Sequence, residues 1–139
     1  MQAKSLANER PQFMTGVDTS ILIRYLTQDD PARSPRASKI IETLTEEAPG
    51  FVSLVVIAEV AWVLRARYKA TRLEIADAID RILSIDSLKV QNDQQVYQAV
   101  VAVKEGEGTL ADALICAIGA HFPRHFRLRA FELNQEIIK

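Results

Sequence analysis

The chain has 139 residues, with 17 basic and 18 acidic side chains and a net charge of −1. This length predicts one domain with a substantial core, and a composition of 48% hydrophobic and 25% charged residues excludes a disordered chain. Because the charge is nearly balanced, any contact with nucleic acid requires a local basic patch. The single cysteine, Cys116, cannot form an internal disulfide and fits a cytoplasmic location. No apolar run approaches the roughly 20 residues of a membrane span.

Short apolar runs alternate with helical periodicities along the chain. Residues 1–13 are polar and are predicted to be a flexible lead-in to one domain over residues 14–139. Strands are predicted at 14–17, 51–56, 88–90 and 126–133. Helices are predicted from a cap at Thr19 or Ser20 to a break at 28–31, and then at 35–46, 55–68, 71–83, 93–105 and 109–120. This alternation predicts an α/β fold in which helices flank a short, mostly parallel sheet.

Three acidic residues stand alone in apolar segments. Asp18 follows the first strand, Glu59 is the only charge in "FVSLVVIAEVAWVL", and Asp112 is the only charge in "TLADALICAIGA". A buried lone carboxylate costs several kcal/mol unless it is paired, hydrogen-bonded or bound to a metal. Each acid alone is equally well explained as a partly exposed acid at a helix start, or as one that accepts hydrogen bonds from backbone N–H groups. Three of them in one small domain favour convergence at the carboxyl edge of the sheet, where ligands bind in such folds.

A convergent set of carboxylates requires a cation, and ligands of oxygen alone suit Mg²⁺ or Mn²⁺ rather than zinc. Other chemistries have weaker support. The chain has 5 glycines and no phosphate-binding loop motif. His121 and His125 are separated by a proline, which disfavours a zinc pair on one helical face. Cys116 is interpreted as a core residue, and Trp62 as core or dimer interface.

The three segments together resemble the PIN-domain family, specifically the toxin ribonucleases of VapBC toxin–antitoxin modules. "GVDTSILIRYLTQDDP" is similar to the family's opening motif, with its aspartate at Asp18, and the segments around Glu59 and Asp112 are similar to its second and third motifs. The resemblance spans about residues 14–120. It implies a three-layer α/β/α fold and makes Asp18, Glu59 and Asp112 the catalytic, metal-binding acids.

The C-terminal end departs from the family pattern, which closes on a "T-F-D" segment with a fourth carboxylate. No aspartate follows Asp112 in this chain. In one alignment "RAFEL" replaces that segment and puts Glu132 in the place of the fourth acid. In the other, "RLRAFEL" resembles the stretch after the missing aspartate, and about a dozen residues are lost between Gly119 and Arg127. The second alignment matches more letters, and both stay open.

The resemblance implies a Mg²⁺- or Mn²⁺-dependent hydrolase that cleaves RNA phosphodiester bonds, with a VapB-type antitoxin and a second copy of the chain as partners. Ser20, or Thr19, is expected to hydrogen-bond a carboxylate or a metal-bound water, with simple helix capping as the alternative. Two basic groups are candidates for contact with the RNA backbone, with solvated surface as the alternative. The first group is Arg24, Arg33 and Arg36, and the second is Arg124, His125, Arg127 and Arg129.

Two rival interpretations remain. The altered C-terminal end is also compatible with a catalytically impaired PIN-like domain that binds an antitoxin or RNA without cleaving. A phosphorylation-receiver domain also has acids at strand ends. Receivers, however, pair two acids after the first strand and carry a late lysine, whereas this chain has one acid there and no lysine between Lys104 and Lys139.

Overall fold

A computed structural model of the protein describes residues 14–120. Expectations for the lead-in at 1–13, the strand at 126–133 and the shortened C-terminal end of the domain lie outside the described residues. The described part contains three strands, β1 (Thr15–Gly16), β2 (Gly50–Val52) and β3 (Leu88–Val90). Its six helices are α1 (Thr19–Thr27), α2 (Arg33–Thr43), α3 (Leu54–Tyr68), α4 (Arg72–Leu83), α5 (Asp93–Lys104) and α6 (Leu110–Gly119). The predicted α/β fold, PIN-like with helices around a short parallel sheet, is confirmed.

The three strands form a parallel sheet in the order β1-β2-β3. Thr15 pairs with Gly50, and Gly50 pairs in turn with Leu88. Parallel strands bring their carboxyl ends to the same edge of a sheet. The backbone beyond each strand continues this alignment, because Val17 N donates to Phe51 O at 2.9 Å and Gln91 N donates to Val52 O at 2.8 Å. The residue after Val17 is Asp18, so the carboxyl edge is where the site is built.

The core lies between the sheet and the inward faces of the helices. Helix α3 packs against α1, α4 and α6, and α5 packs against α4 and α6. One face of α3 supplies four buried side chains at helical spacing, namely Ile57, Val60, Ala61 and Leu64. The opposite face is also apolar in part, since Val55 is 75% exposed and Trp62 is 62% exposed. Of the two interpretations of Trp62, the core is therefore wrong, and the dimer interface stays a prediction.

The residues that cap the helices explain why some element boundaries differ from the predicted ones. The predicted strand at 51–56 is too long, because Ser53 ends it and caps α3 by accepting a hydrogen bond from Val56 N at 3.2 Å. Similarly, α1 is capped by Asp18 rather than by Thr19 or Ser20. The capping box expected of Thr71 and Glu74 is present, with both of its hydrogen bonds formed.

Gly50 fixes the close approach of the central strand to its neighbours. A Cβ at this position would lie 2.7 Å from Val17 Cγ2, 2.8 Å from Leu44 Cδ1 and 2.8 Å from Leu88 Cδ2. Contacts this short do not occur for real Cβ atoms, so only glycine fits without rearrangement. Across residues 14–120, no helix combines the length and apolar character needed to cross a bilayer.

Candidate functional site

Asp18 occupies the junction between the first strand and the first helix. Its Oδ1 accepts a hydrogen bond from Ile21 N at 3.1 Å and another from the Ser20 hydroxyl at 3.0 Å. The carboxylate therefore satisfies an unpaired N–H at the helix start and also benefits from the positive end of the helix dipole. Asp18 is exposed rather than buried, which corrects the expectation of an apolar setting. The reason is that β1 is only two residues long and lies at the edge of the described sheet.

Glu59 lies on the side of α3 that faces away from the core. It is exposed, although its sequence neighbours are almost all apolar. Helix α3 carries apolar side chains on both faces, so an apolar sequence context does not indicate burial here. Glu59 lines a cleft of about 360 Å³ between α1 and α3, together with Thr19 and Ser20.

Asp112 lies in the first turn of α6, which Thr109 caps by accepting a hydrogen bond from Asp112 N at 3.2 Å. The side chain is half-buried. Its Oδ2 lies 3.6 Å from the position that a Cβ of Gly108 would occupy, and Gly108 has a φ of +74°. Glycine at 108 therefore lets the chain turn close to this carboxylate, because other residues rarely adopt such a φ.

The structure brings the predicted residues together only in part. Asp18 and Ser20 are hydrogen-bonded, and Ser20, Thr19 and Glu59 line one cleft. Within residues 14–120, no group of three or more His, Cys, Asp or Glu side chains is arranged so that it could hold a metal ion. The doubtful fourth acid, Glu132, and the C-terminal basic group lie outside the described residues.

Sequence reasoning missed the residues that line the α1–α3 cleft from α3, namely Trp62, Val63 and Arg67. Arg24, which lines the cleft from α1, belongs to the first predicted basic group. Glu59, Trp62, Val63 and Arg67 follow the i, i+3, i+4, i+8 spacing of one helical face, which was the signal available in the sequence. The cleft therefore combines one carboxylate, two guanidinium groups and an exposed indole.

A second cleft of about 320 Å³ lies on the other side of α1, between α1 and α2. Arg24, Arg33 and Arg36 line it with Ser20. The basic patch that the balanced net charge requires for any nucleic-acid contact is thus present around α1. Ser20 and Arg24, one helical turn apart, line both clefts.

Asp29 ties the end of α1 to the end of α3. Its carboxylate accepts hydrogen bonds from the Thr27 hydroxyl and the Tyr68 hydroxyl, each at 2.8 Å, and lies 3.8 Å from the Arg24 guanidinium. These contacts, the Thr27 hydrogen bond first and the Tyr68 hydrogen bond second, hold the pKa of Asp29 below its ordinary value. The neighbouring Asp30 also has a lowered pKa, mainly because it accepts the backbone N–H of Arg33. Both carboxylates therefore stay ionised beside the arginines.

Comparison with known families gives one match. Residues 16–121 match the model of the PIN domain family. That span covers most of the chain and contains Asp18, Glu59 and Asp112. The comparison with curated proteins returned no match.

Proposed function

The chain belongs to the PIN domain family, and from this premise we propose that it is a divalent-metal-dependent ribonuclease that hydrolyses RNA phosphodiester bonds. PIN domains have a nuclease-type fold, are generally metal-dependent hydrolases and bind RNA. The observation that carries the proposal is the cleft between α1 and α3, where Ser20, whose hydroxyl is bonded to Asp18, lines one wall and Glu59 lines the other. This cleft contains an acidic side chain, which can bind a metal ion, and basic side chains, which can bind RNA phosphates.

The three carboxylates fit Mg²⁺ or Mn²⁺ in their chemistry, since both ions prefer oxygen ligands. Asp18 and Glu59 are exposed, so neither must be dehydrated from a buried state before it binds an ion. Like charges repel, and gathering three carboxylates is favourable only when a cation balances them. The proposal therefore includes that Asp18, Glu59 and Asp112 come together on binding of the ion. When bound, such an ion supplies an activated water for in-line attack and neutralises charge that develops on the phosphate.

The chain's own residues have separate tasks in this proposal. Asp18 is held at the start of α1 by the Ile21 N–H, which donates to its carboxylate. Ser20 donates to the same oxygen and fixes the rotation of the side chain. Glu59 supplies the opposite wall, and Asp112 supplies the third acid from the first turn of α6.

We further propose that the ribonuclease is the cytoplasmic toxin of a toxin–antitoxin pair of the VapC type and that it forms a homodimer. A VapB-type antitoxin would cover the α1–α3 cleft and the carboxylates beside it, with an apolar helix in the cleft and a basic side chain near the carboxylates. The described surface also offers apolar contact area outside this cleft, because Val55 and Ile115 are each more than half exposed. Support for these roles comes from the similarity of the three motifs to that family.

A catalytically impaired PIN-like domain is the second candidate. It is favoured by one specific observation, namely that the described carboxylates do not form a group that could hold a metal ion. Such a protein would still bind RNA or an antitoxin through the same clefts.

The test of the proposal is RNA cleavage by the purified protein with Mn²⁺, with Mg²⁺ and with EDTA. We expect cleavage with either ion and none in EDTA. Co-expression of the chain in growing cells, with and without the gene product encoded next to it, tests the toxin role. Growth arrest that the neighbouring product relieves supports a toxin–antitoxin pair. Metal-independent cleavage contradicts the mechanism, and binding without cleavage under all conditions supports the impaired alternative.

A further inference from the structure

We propose that single-stranded RNA crosses α1 through the two clefts that flank this helix, together called the groove, with its phosphates on Arg33 and Arg36 and one base stacked on Trp62. This inference deepens the proposed function and rests on it. It assigns a path for the RNA on this chain and gives Trp62 a role that the sequence did not suggest.

The two clefts adjoin each other across α1, because they share two lining residues. Ser20 and Arg24 line both the cleft between α1 and α2, of about 320 Å³, and the cleft between α1 and α3, of about 360 Å³. Ser20 is exposed and also donates a hydrogen bond to Asp18, so a strand that crosses α1 at Ser20 passes beside that carboxylate.

The arginines at the ends of the groove are available for phosphates. In the part of the chain that the structure describes, the guanidinium groups of Arg33, Arg36 and Arg67 form no hydrogen bond or ion pair, although the charge of Arg33 interacts at longer range with the Asp30 carboxylate. Arg24 differs, because it lies 3.8 Å from Asp29. Arg33 and Arg36 are exposed, three residues apart on α2, and thus on one side of that helix. Two guanidinium groups so placed suit successive phosphates of a flexible strand.

Trp62 supplies the aromatic surface that single-strand binding sites combine with positive charge. It is 62% exposed and lines the cleft together with Arg67 and Glu59. An exposed indole beside a guanidinium group offers a base a face on which to stack and a cation next to it. The charge of the groove selects nucleic acid over an apolar protein helix as the occupant in the free protein.

The experiment uses Trp62 as its own probe, because it is the only tryptophan in the chain. A mixed-sequence 12-nucleotide RNA is titrated into the full chain in EDTA, where no metal-dependent cleavage occurs, and tryptophan fluorescence is recorded. We expect quenching that saturates as a base covers the indole. Anisotropy of the same RNA carrying a fluorescent label gives the affinity independently of Trp62.

Matched variants distinguish RNA binding in the groove from a general effect of the protein's net charge. Arg33→Gln/Arg36→Gln is expected to weaken binding and to make the slope of log K against log salt shallower by about 1.4, the value for two lost single-strand phosphate contacts. The control Arg81→Gln/Lys89→Gln removes the same charge from residues that do not line the groove, and it is expected to bind as the wild type does. Trp62→Leu is expected to weaken binding roughly 5- to 150-fold, the scale of one lost base stack.

The outcomes distinguish this inference from the proposed function. Quenching that depends on Arg33 and Arg36 supports the groove, even if no metal ion ever yields cleavage. Cleavage with Mn²⁺ but no quenching overturns the groove and leaves the ribonuclease intact. Equal weakening by both double variants also overturns it, because the effect is then one of net charge. A Trp62 emission that shifts to the blue as protein concentration rises, and that added RNA does not change, shows that a second copy of the chain covers Trp62. This result also overturns the groove.

Discussion

The Ser20 hydroxyl donates a hydrogen bond of 3.0 Å to Oδ1 of Asp18, the same oxygen that accepts the Ile21 N–H. Two donors on one oxygen restrict the rotation of the carboxylate. A side chain held this way loses little freedom when it binds an ion. The carboxylate that ends the first strand thus has two compatible tasks, since it caps α1 and it is oriented for a ligand.

Removal of the Ser20 hydroxyl tests whether this hydroxyl holds the Asp18 carboxylate ready for an ion. Ser20→Ala is expected to weaken Mn²⁺ binding by roughly 10- to 100-fold, the scale for a lost partner of a metal-binding carboxylate. Folding stability is expected to change by only about 1 kcal/mol or less, because the hydrogen bond is solvent-exposed. Calorimetry measures the affinity, and Ser20→Thr, which keeps the hydroxyl, is expected to restore it. Unchanged Mn²⁺ affinity in Ser20→Ala would show that Ser20 has no role in metal binding.

Gly50→Ala is expected to destabilise the fold by about 1–3 kcal/mol through overpacking. The new methyl group would meet side chains of Val17, Leu44 and Leu88, which belong to the core rather than to a flexible surface. Chemical denaturation followed by circular dichroism measures the change. Gly119→Ala is the matched control, because no atom of residues 14–120 lies within 4 Å of its Cβ position, and it is expected to be neutral or stabilising. Equal stability of the two variants would show that the sheet relaxes around residue 50.

The contact between Asp29 and Tyr68 predicts a pH dependence. Tyr68→Phe removes one of the two hydroxyl donors and is expected to raise the pKa of Asp29 toward 3.8, its ordinary value. A carboxyl pKa that is lowered in the folded state adds stability above the unfolded pKa, and that stability is lost as the pH falls through the folded pKa. The variant is therefore expected to be less stable than wild type near neutral pH and to approach it in acid. NMR titration of the Asp29 carboxyl checks this, and Thr27→Val, which removes the larger cause, should shift the pKa further.

Glu132 distinguishes the two alignments of the C-terminal end. The alignment that matches more letters puts the fourth acid in a lost segment, and it predicts that Glu132→Gln binds Mn²⁺ with the same isotherm as wild type. If Glu132 instead replaces the missing aspartate, the loss of one carboxylate ligand weakens binding. Calorimetric titration of both proteins decides between them.

The secondary structure was predictable from the sequence wherever no second local signal contradicted the first. The capping box at Thr71 and Glu74 and the short strand at 88–90 were predicted as they occur. The strand at 51–56 was overextended because β-branched residues continue past its true end, and the weaker capping signal of Ser53 was outweighed. Strand propensity is summed over several residues, whereas a helix cap depends on one side chain. A prediction based on propensity therefore overlooks the cap.

The site was less predictable, because its surroundings come from separate elements. Single charges in apolar segments identified Asp18 and Glu59 as unusual, but both are exposed. Burial depends on what packs against a helix, and α3 presents apolar side chains to both the core and the surface. Likewise, the joining of Arg24, Arg33 and Trp62 into one groove depends on how α1, α2 and α3 pack together, which no single segment encodes.

The most direct test of the central claim compares two aspartates that each lie in the first turn of a helix. Asp112 lies in the first turn of α6, and Asp93 lies in the first turn of α5, where it lines a cavity that contains none of the three proposed acids. Because each Asn substitution removes one charge from a helix start, both are expected to cost a similar fraction of about 1 kcal/mol in stability. The measurement is the rate of Mn²⁺-dependent RNA cleavage by Asp112→Asn, Asp93→Asn and wild type at equal folded concentration. The account predicts loss of cleavage in Asp112→Asn and the wild-type rate in Asp93→Asn, whereas undiminished cleavage by Asp112→Asn would contradict it.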